Sequence, residues 1–418
     1  MSGALEPLRE RNFRLLATAR TVDYLGNGMA PIALSFAVLD LTGSVTDLGV
    51  VVGVRSLANV LLVLFGGVLA DRFPRAAVLQ GSAAVAAISQ AVVAASVLGR
   101  FDSIGLLAAL GAVNGAAAAA SLPASVALTS QTVPANLLRQ ANALARIGQT
   151  GAQVIGASVG GVLVGSFGPG WALAIDSASF VVVAVCFTRL RLPAGARVRV
   201  RSSTLHELRV GWQAFVAQTW VWVIVLQFLV MNAISAGGVQ VLGPSIAEHS
   251  IGRTEWGLVL AAQTLGGVVG GLVAANWLPR KAMFWGVALC MLEALPLLAL
   301  GHLPVLAALL PAMFVIGFGL ALFGVAWQIG LQENIPNDRL ARVSSYDALG
   351  SFVAIPLGQV AVGPLSIAIG NTSTLDGGAA LVVLVTLAAL AVPSVRQLTV
   401  KSTERGKAAK EGEVSDRR

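Results

Sequence analysis

Twelve stretches of this chain, each about 20 residues long and almost free of charge, follow one another with short polar connections, and this spacing constrains the fold more than any other feature. They fall near 14–38, 47–70, 76–98, 104–128, 141–166 and 169–190, then near 219–242, 255–278, 282–301, 304–330, 344–368 and 377–395. A bilayer core offers no water to backbone N–H and C=O groups, so segments of this length are predicted to be helices that satisfy their own hydrogen bonds. An all-α membrane protein with about 12 transmembrane helices follows. The soluble alternative fails on composition: 56% hydrophobic and 11% charged residues across 418 positions leave too little polar surface to cover a water-soluble globule.

The charges that remain are ordered. Arg and Lys occupy alternate connections, at Arg72 and Arg75, Arg139, the group from Arg189 to Arg209, Arg280 with Lys281, Arg339 with Arg342, and the C-terminal tail. The intervening connections carry chiefly Asp40, Asp47, Asp102, Glu248, Glu255 and Asp376. The positive-inside bias then places both termini in the cytoplasm of a multi-pass inner-membrane protein. The net charge of +8 is thereby an orienting device, and no nucleic-acid partner is expected. Arg9, Arg11 and Arg14 before the first long stretch read as an uncleaved first span. Cys186 and Cys290 lie inside apolar runs and behave as small hydrophobes, so neither a disulfide nor a metal is expected. His206, His249 and His302 fall at connections without ligand spacing, and the Gly-rich runs lack the Lys of a phosphate-binding loop. No cofactor, no metal and no enzymatic chemistry is indicated, and ATP is not an expected energy source.

The chain repeats itself. The segment from Gln131 to Gln140 reappears from Glu333 to Arg342, pairing Pro134 with Pro336 at an offset of 202, which also pairs Gly156 with Gly358 and Gly161 with Gly363. An offset near half the length implies two parallel six-helix halves. The expected organisation is residues 1–190 as the first half, 191–215 as an Arg-rich cytoplasmic linker, 216–396 as the second half and 397–418 as a disordered tail.

The apolar run beginning near Leu48 closes on Gly67-Val68-Leu69-Ala70-Asp71-Arg72-Phe73-Pro74-Arg75. This resembles the G-x-L-A-D-R-x-G-R signature between the second and third transmembrane helices of major facilitator superfamily transporters, with Pro74 in place of the second Gly. The segment 271–280 keeps the Pro-Arg ending of that signature, with Asn276 in place of the acid. Within the superfamily the chain is similar to the group of the enterobactin exporter and the macrolide efflux proteins. That likeness is carried by Val133-Pro134, by Gln140-Ala141-Asn142-Ala143-Leu144 and by Ile175-Asp176-Ser177-Ala178-Ser179-Phe180. It implies the major facilitator fold and a conformational latch made of Gly67, Asp71, Arg72 and Arg75. In that latch Asp71 would meet the N-terminus of the eleventh helix near Arg342–Ser345. Gly156, Gly160 and Gly161 resemble an antiporter motif, with Ala157 where that motif has Pro; small-residue helix packing is the alternative reading. Gly111 stands where many drug antiporters carry an Arg on helix four.

Charges within spans are candidates for coupling or substrate contact. Arg20 and Asp23 share one face of the first helix, either neutralising each other or presenting a titratable carboxylate to the cavity, and Arg55 is a second potential partner of Asp23. Asp176 and Asp376 read as caps at the starts of helices six and twelve. Glu293 reads as an interhelical hydrogen-bonding acid, and Asp347 has no assigned role. The resembled fold implies a cavity lined by Asn27, Asn114, Gln227, Asn232, Phe323, Trp327 and Gln328, which suits a hydrophobic or amphipathic solute. The expected function is proton-coupled export of such a small molecule, a drug, antibiotic or siderophore-like compound, by a monomeric transporter whose partners are solute, protons and the lipid bilayer. An importer or uniporter on the same fold, or a non-transporting sensor or assembly protein, are the alternatives.

Overall fold

The computed structural model describes residues 5–72, 75–126, 128–190, 211–277 and 279–398; the side chains of 64–72, 75, 122–126, 130, 135, 337, 338 and 341 lie outside the description. The expected linker falls mostly, and the expected tail almost wholly, outside the described residues. Twelve helices among the described residues are long and apolar enough to cross a membrane. They are α1 (Arg11–Thr42), α2 (Val45–Arg72), α3 (Arg75–Gly99), α4 (Ile104–Val126), α5 (Leu138–Phe167), α6 (Pro169–Thr188), α7 (Thr219–Glu248), α8 (Arg253–Asn276), α9 (Ala282–His302), α10 (Leu306–Asn334), α11 in two segments (Asn337–Phe352 and Ile355–Ile369) and α12 (Asn371–Ala391).

Large apolar side chains stand on the outside, as with Ile88 at 66% and Ile367 at 77% exposure, which is the burial pattern of a bundle meant for lipid. With lipid as apolar as the side chains, helices are held by close approach and interhelical polar bonds instead. Glycines supply the approach. A Cβ on Gly156 would strike the Leu25 carbonyl of α1, and one on Gly28 would lie 2.8 Å from the Gln153 carbonyl of α5.

The expected repeat is visible at the helix starts. Gly168 and Gly370, also 202 apart, both precede a helix at positive φ, 85° and 88°, a conformation glycine adopts without strain. That pairing sets Asp176 against Gly378 in the repeat and corrects the reading of the two acids as caps. Asp176 lies two turns inside α6, which begins at Pro169, and is buried at 1% exposure. Asp376 likewise lies beyond the first turn of α12, exposed, with His302 Nε2 2.8 Å from its Oδ1.

Among the described residues α11 is interrupted at Val353–Ala354, and two further spans depart from α-helical geometry. In α7 a π-helical stretch runs over Ala236–Leu242, just before Pro244, which has no N–H to return to the carbonyl four residues earlier. In α9 a 3₁₀ turn covers Cys290–Glu293, just before Pro296.

Contacts group the chain into two compact units. One comprises Met1–Arg199, Ala236–Ala261 and Ile355–Ala368; the other comprises Val200–Ser235, Ala262–Ala354 and Ile369–Arg418. In the first unit, α8 begins against α5, where Thr254 Oγ1 donates to the Gly161 carbonyl at 3.4 Å, and Gln359 of α11 donates to Gln240 of α7 at 2.9 Å. In the second, Gln227 Nε2 of α7 donates to Thr386 Oγ1 of α12 at 3.0 Å.

Candidate functional site

The first unit encloses a cavity of about 590 Å³, within the range of small-molecule sites. Its polar wall comes from α1, α2, α4 and α5, and its apolar wall from α3 and α6 through Leu79, Ala83, Phe180 and Phe187. Five of the residues singled out in the sequence meet here: Arg20, Asp23, Asn27, Arg55 and Asn114.

Arg20 reaches across from α1 to donate from Nη1 to Thr129 Oγ1 at 3.0 Å. Asp23 is half-buried on the same face, with the Asn27 amide bonded to it one turn on and Arg20 nearly one turn back. Arg55 does not pair with Asp23. Its Nε donates to Asn114 Oδ1 at 3.3 Å, and the carboxylate whose field acts on it is Asp176 of α6. Arg55, Asn114 and Asp176 share the lining of a smaller void of about 20 Å³. Gly26 leaves room for Asp176, since a Cβ there would collide with Asp176 Oδ1 and Ser179 Oγ. Gly115 lets the α2 backbone approach α4 at Arg55, since a Cβ there would strike the Arg55 carbonyl, whereas a Cβ on Gly111 would make ordinary contact with Arg55 Cβ at 3.5 Å. The guanidinium beside helix four thus comes from helix two.

Sequence reasoning opens the sixth span at residue 169, as the structure does, but reads Asp176 as a cap and so misses it as an intramembrane charge. It misses a second feature altogether. Asn142, Arg146, Gln149 and Gln153 of α5 all line the cavity. Their spacing of four, three and four residues is that of one helical face, a signal present in the sequence.

The remaining candidates lie in the second unit. Gln227 is 2% exposed and donates to Thr386 of α12. Asn232 donates to the Ser351 carbonyl at 2.9 Å, and Trp327 Nε1 donates to Asp347 Oδ2 at 2.9 Å. Ser351 Oγ donates to the other Asp347 oxygen at 3.3 Å. Asp347 therefore ties α10 to α11, beside a stack of Phe228 on Phe323 with ring centroids 4.5 Å apart. Gln328 is exposed. Glu293, 2% exposed, bonds Ser235 of α7.

Gly156 and Gly160 pack on α1 and Gly161 on α8, with a Cβ on Gly161 falling 2.8 Å from Gly257 Cα. The side chains of Gly67, Asp71, Arg72 and Arg75, and so the latch, lie outside the described residues. No cluster of metal-ligating residues occurs among the described residues.

The sequence pattern of the Major Facilitator Superfamily matches residues 16–359. The chain belongs to this superfamily. It is therefore a multi-pass membrane transporter and not an enzyme. Among curated relatives it is similar to the multidrug efflux pump Tap of Mycolicibacterium fortuitum, at 25% identity over 397 residues, covering 90% of this chain and 94% of that protein. It is also similar to the enterobactin exporter EntS of Salmonella typhimurium, at 25% identity over 362 residues, covering 84% and 85%. Among solved structures the nucleoside transporter NupG superposes with a TM-score of 0.73 at 14% identity over 91% of this chain and 98% of that one, which shows a shared fold.

Proposed function

We propose that this transporter exports amphipathic small molecules from the cytoplasm across the inner membrane in exchange for protons. The observation that carries the reading is Asp23, a carboxylate on the wall of a drug-sized cavity, flanked by Arg20 and Asn27 within a membrane-spanning helix. An acid reached from such a space trades its proton with whichever side the cavity opens to, and a solute entering the same space alters the charge around it. Export as the direction draws on the relatives, which are named as an efflux pump and an exporter. The amphipathic solute draws on the two walls of the cavity, one polar and one apolar.

Inverted membrane vesicles containing the transporter test this. Labelled amphipathic acids, neutral solutes and bases are offered outside, and the lumen is acidified. Accumulation of at least one class that an ionophore collapsing the proton gradient abolishes is the expected result. Solute movement indifferent to the gradient, or driven out of the vesicles by it, would replace the proposal with a uniporter or importer.

A further inference from the structure

We infer that the cavity selects acidic solutes, with the wall formed by α1, α2, α4 and α5 holding an anionic head and the wall formed by α3 and α6 holding an apolar or aromatic body. This rests on the proposed role of the cavity as the transport site and adds the charge of its ligand. Among the described residues, three guanidiniums, of Arg20, Arg55 and Arg146, line the space against the single carboxylate of Asp23. Arg55 is engaged by Asn114 and lies in the field of Asp176, and Asp23 is shared between Arg20 and Asn27. Arg146 is exposed to the cavity and has no carboxylate within ion-pair distance among the described residues. It sits in the centre of the amide stripe of α5, between Asn142 and Gln149.

The Asn114 amide points the same way. It is 6% exposed, and because Arg55 occupies its Oδ1, the atom left without a partner is the donor Nδ2. A buried donor without an acceptor is unfavourable, and it adds to the excess of donors over acceptors on this wall. A wall with surplus donors and surplus positive charge repels lipophilic cations and welcomes carboxylates or similar acids. Phe180 and Phe187 of α6, also in the lining, give such a molecule an apolar seat.

The experiment is thermal unfolding of the purified full-length transporter in detergent, titrated with salicylate, with its uncharged analogue salicylamide and with tetraphenylphosphonium. Salicylate should raise Tm saturably, with an apparent Kd about tenfold or more below that of salicylamide, the size of one charge-assisted contact. Tetraphenylphosphonium should give no shift. Arg146→Gln should leave the unliganded Tm unchanged, because the side chain is exposed, and remove the preference; Arg146→Lys should retain most of it. Equal or tighter binding of the neutral or cationic probe, no shift with any probe, or an Arg146→Gln variant that still prefers salicylate would each overturn the inference. The readout needs neither a gradient nor a direction. Proton exchange can fail with the acid preference intact, and the reverse.

Discussion

Arg253, the first residue of α8, grips Asp40 at the far end of α1, its Nη1 donating to Oδ2 at 3.0 Å. The same guanidinium donates from Nε and Nη2 to both oxygens of Glu248, at 2.7 and 2.8 Å, and lies 5.0 Å from the Phe36 ring centroid. A single planar cation thus joins the end of α7, the start of α8 and the end of α1, all within the first compact unit, a task that suits the fork of Arg better than the point charge of Lys. Asp40 and Glu248 belong to the connections that the charge pattern predicts to face outward.

A double-mutant cycle measures this tie. Arg253→Gln and Asp40→Asn should couple by about 1 kcal/mol in detergent unfolding, since the group is partly exposed and solvent weakens each pair. The coupling should shrink at high salt. Additive single effects would mean that the geometry contributes nothing beyond packing.

Glycine substitutions along α5 should divide by neighbour. Gly156→Ala places a methyl group on the Leu25 carbonyl, so α1 and α5 must separate, at about 1–3 kcal/mol. Gly151→Ala on the same helix meets nothing within 4 Å and should be neutral or stabilising by up to ~1 kcal/mol, from helix propensity alone. The unfolding temperatures of the two variants in detergent check the contrast.

The spans and the repeat are legible because they depend on one-dimensional signals: apolar length, charge at alternate connections and a fixed offset. Caps are less so. The apolar run near 169–190 already places Asp176 seven residues inside α6, yet a lone acid near the start of a span invites reading as a cap, whereas the Gly168-Pro169 turn begins the helix and Asp176 lies in the bundle. The partners of each buried charge are not legible at all. Whether Arg55 faces Asp23 or Asp176 depends on how α2, α4 and α6 are placed, and Gly26 and Gly115 allow the close approaches that set it. The polar stripe on α5 is readable by its spacing, yet it lies off the helices from which the resemblance draws cavity residues.

Asp176→Asn should destabilise the transporter by leaving the Arg55 guanidinium without its opposing carboxylate. The effect should be on the order of 2 kcal/mol, below the ~3–5 kcal/mol of a broken contacting pair because the two groups do not touch. Adding Arg55→Gln should restore part of the loss. If the double variant is no more stable than Asp176→Asn alone, the carboxylate stabilises the bundle by some route other than Arg55.

Glu293→Gln should be tolerated, because an amide can keep the bond between α9 and Ser235 of α7. Glu293→Leu removes the partner and leaves the Ser235 hydroxyl to α7, at about 1–2 kcal/mol. Transport by the Gln variant at the wild-type rate, with reduced thermal stability only in the Leu variant, would assign Glu293 to packing. Loss of transport in the Gln variant would make it a rival to Asp23 for the coupling proton.

Asp23→Asn addresses the coupling step itself. The substitution nearly preserves volume and can keep a hydrogen bond to Asn27, while Arg20 retains its bond to Thr129, so the fold should survive. What disappears is the only titratable acid on the cavity wall among the described residues. Exchange requires that solute and proton displace each other, so solute addition to wild-type protein in weakly buffered detergent should release protons; uptake, the sign an anion gives by favouring protonation of an ionised Asp23 beside it, would mean that solute and proton bind together. A release that vanishes in Asp23→Asn supports exchange at this residue, and the variant should bind solute but fail to accumulate it against a gradient in vesicles. An unchanged pH response in the variant would make Asp23 a structural partner of Arg20 and move the search to Asp176, the next carboxylate behind the wall.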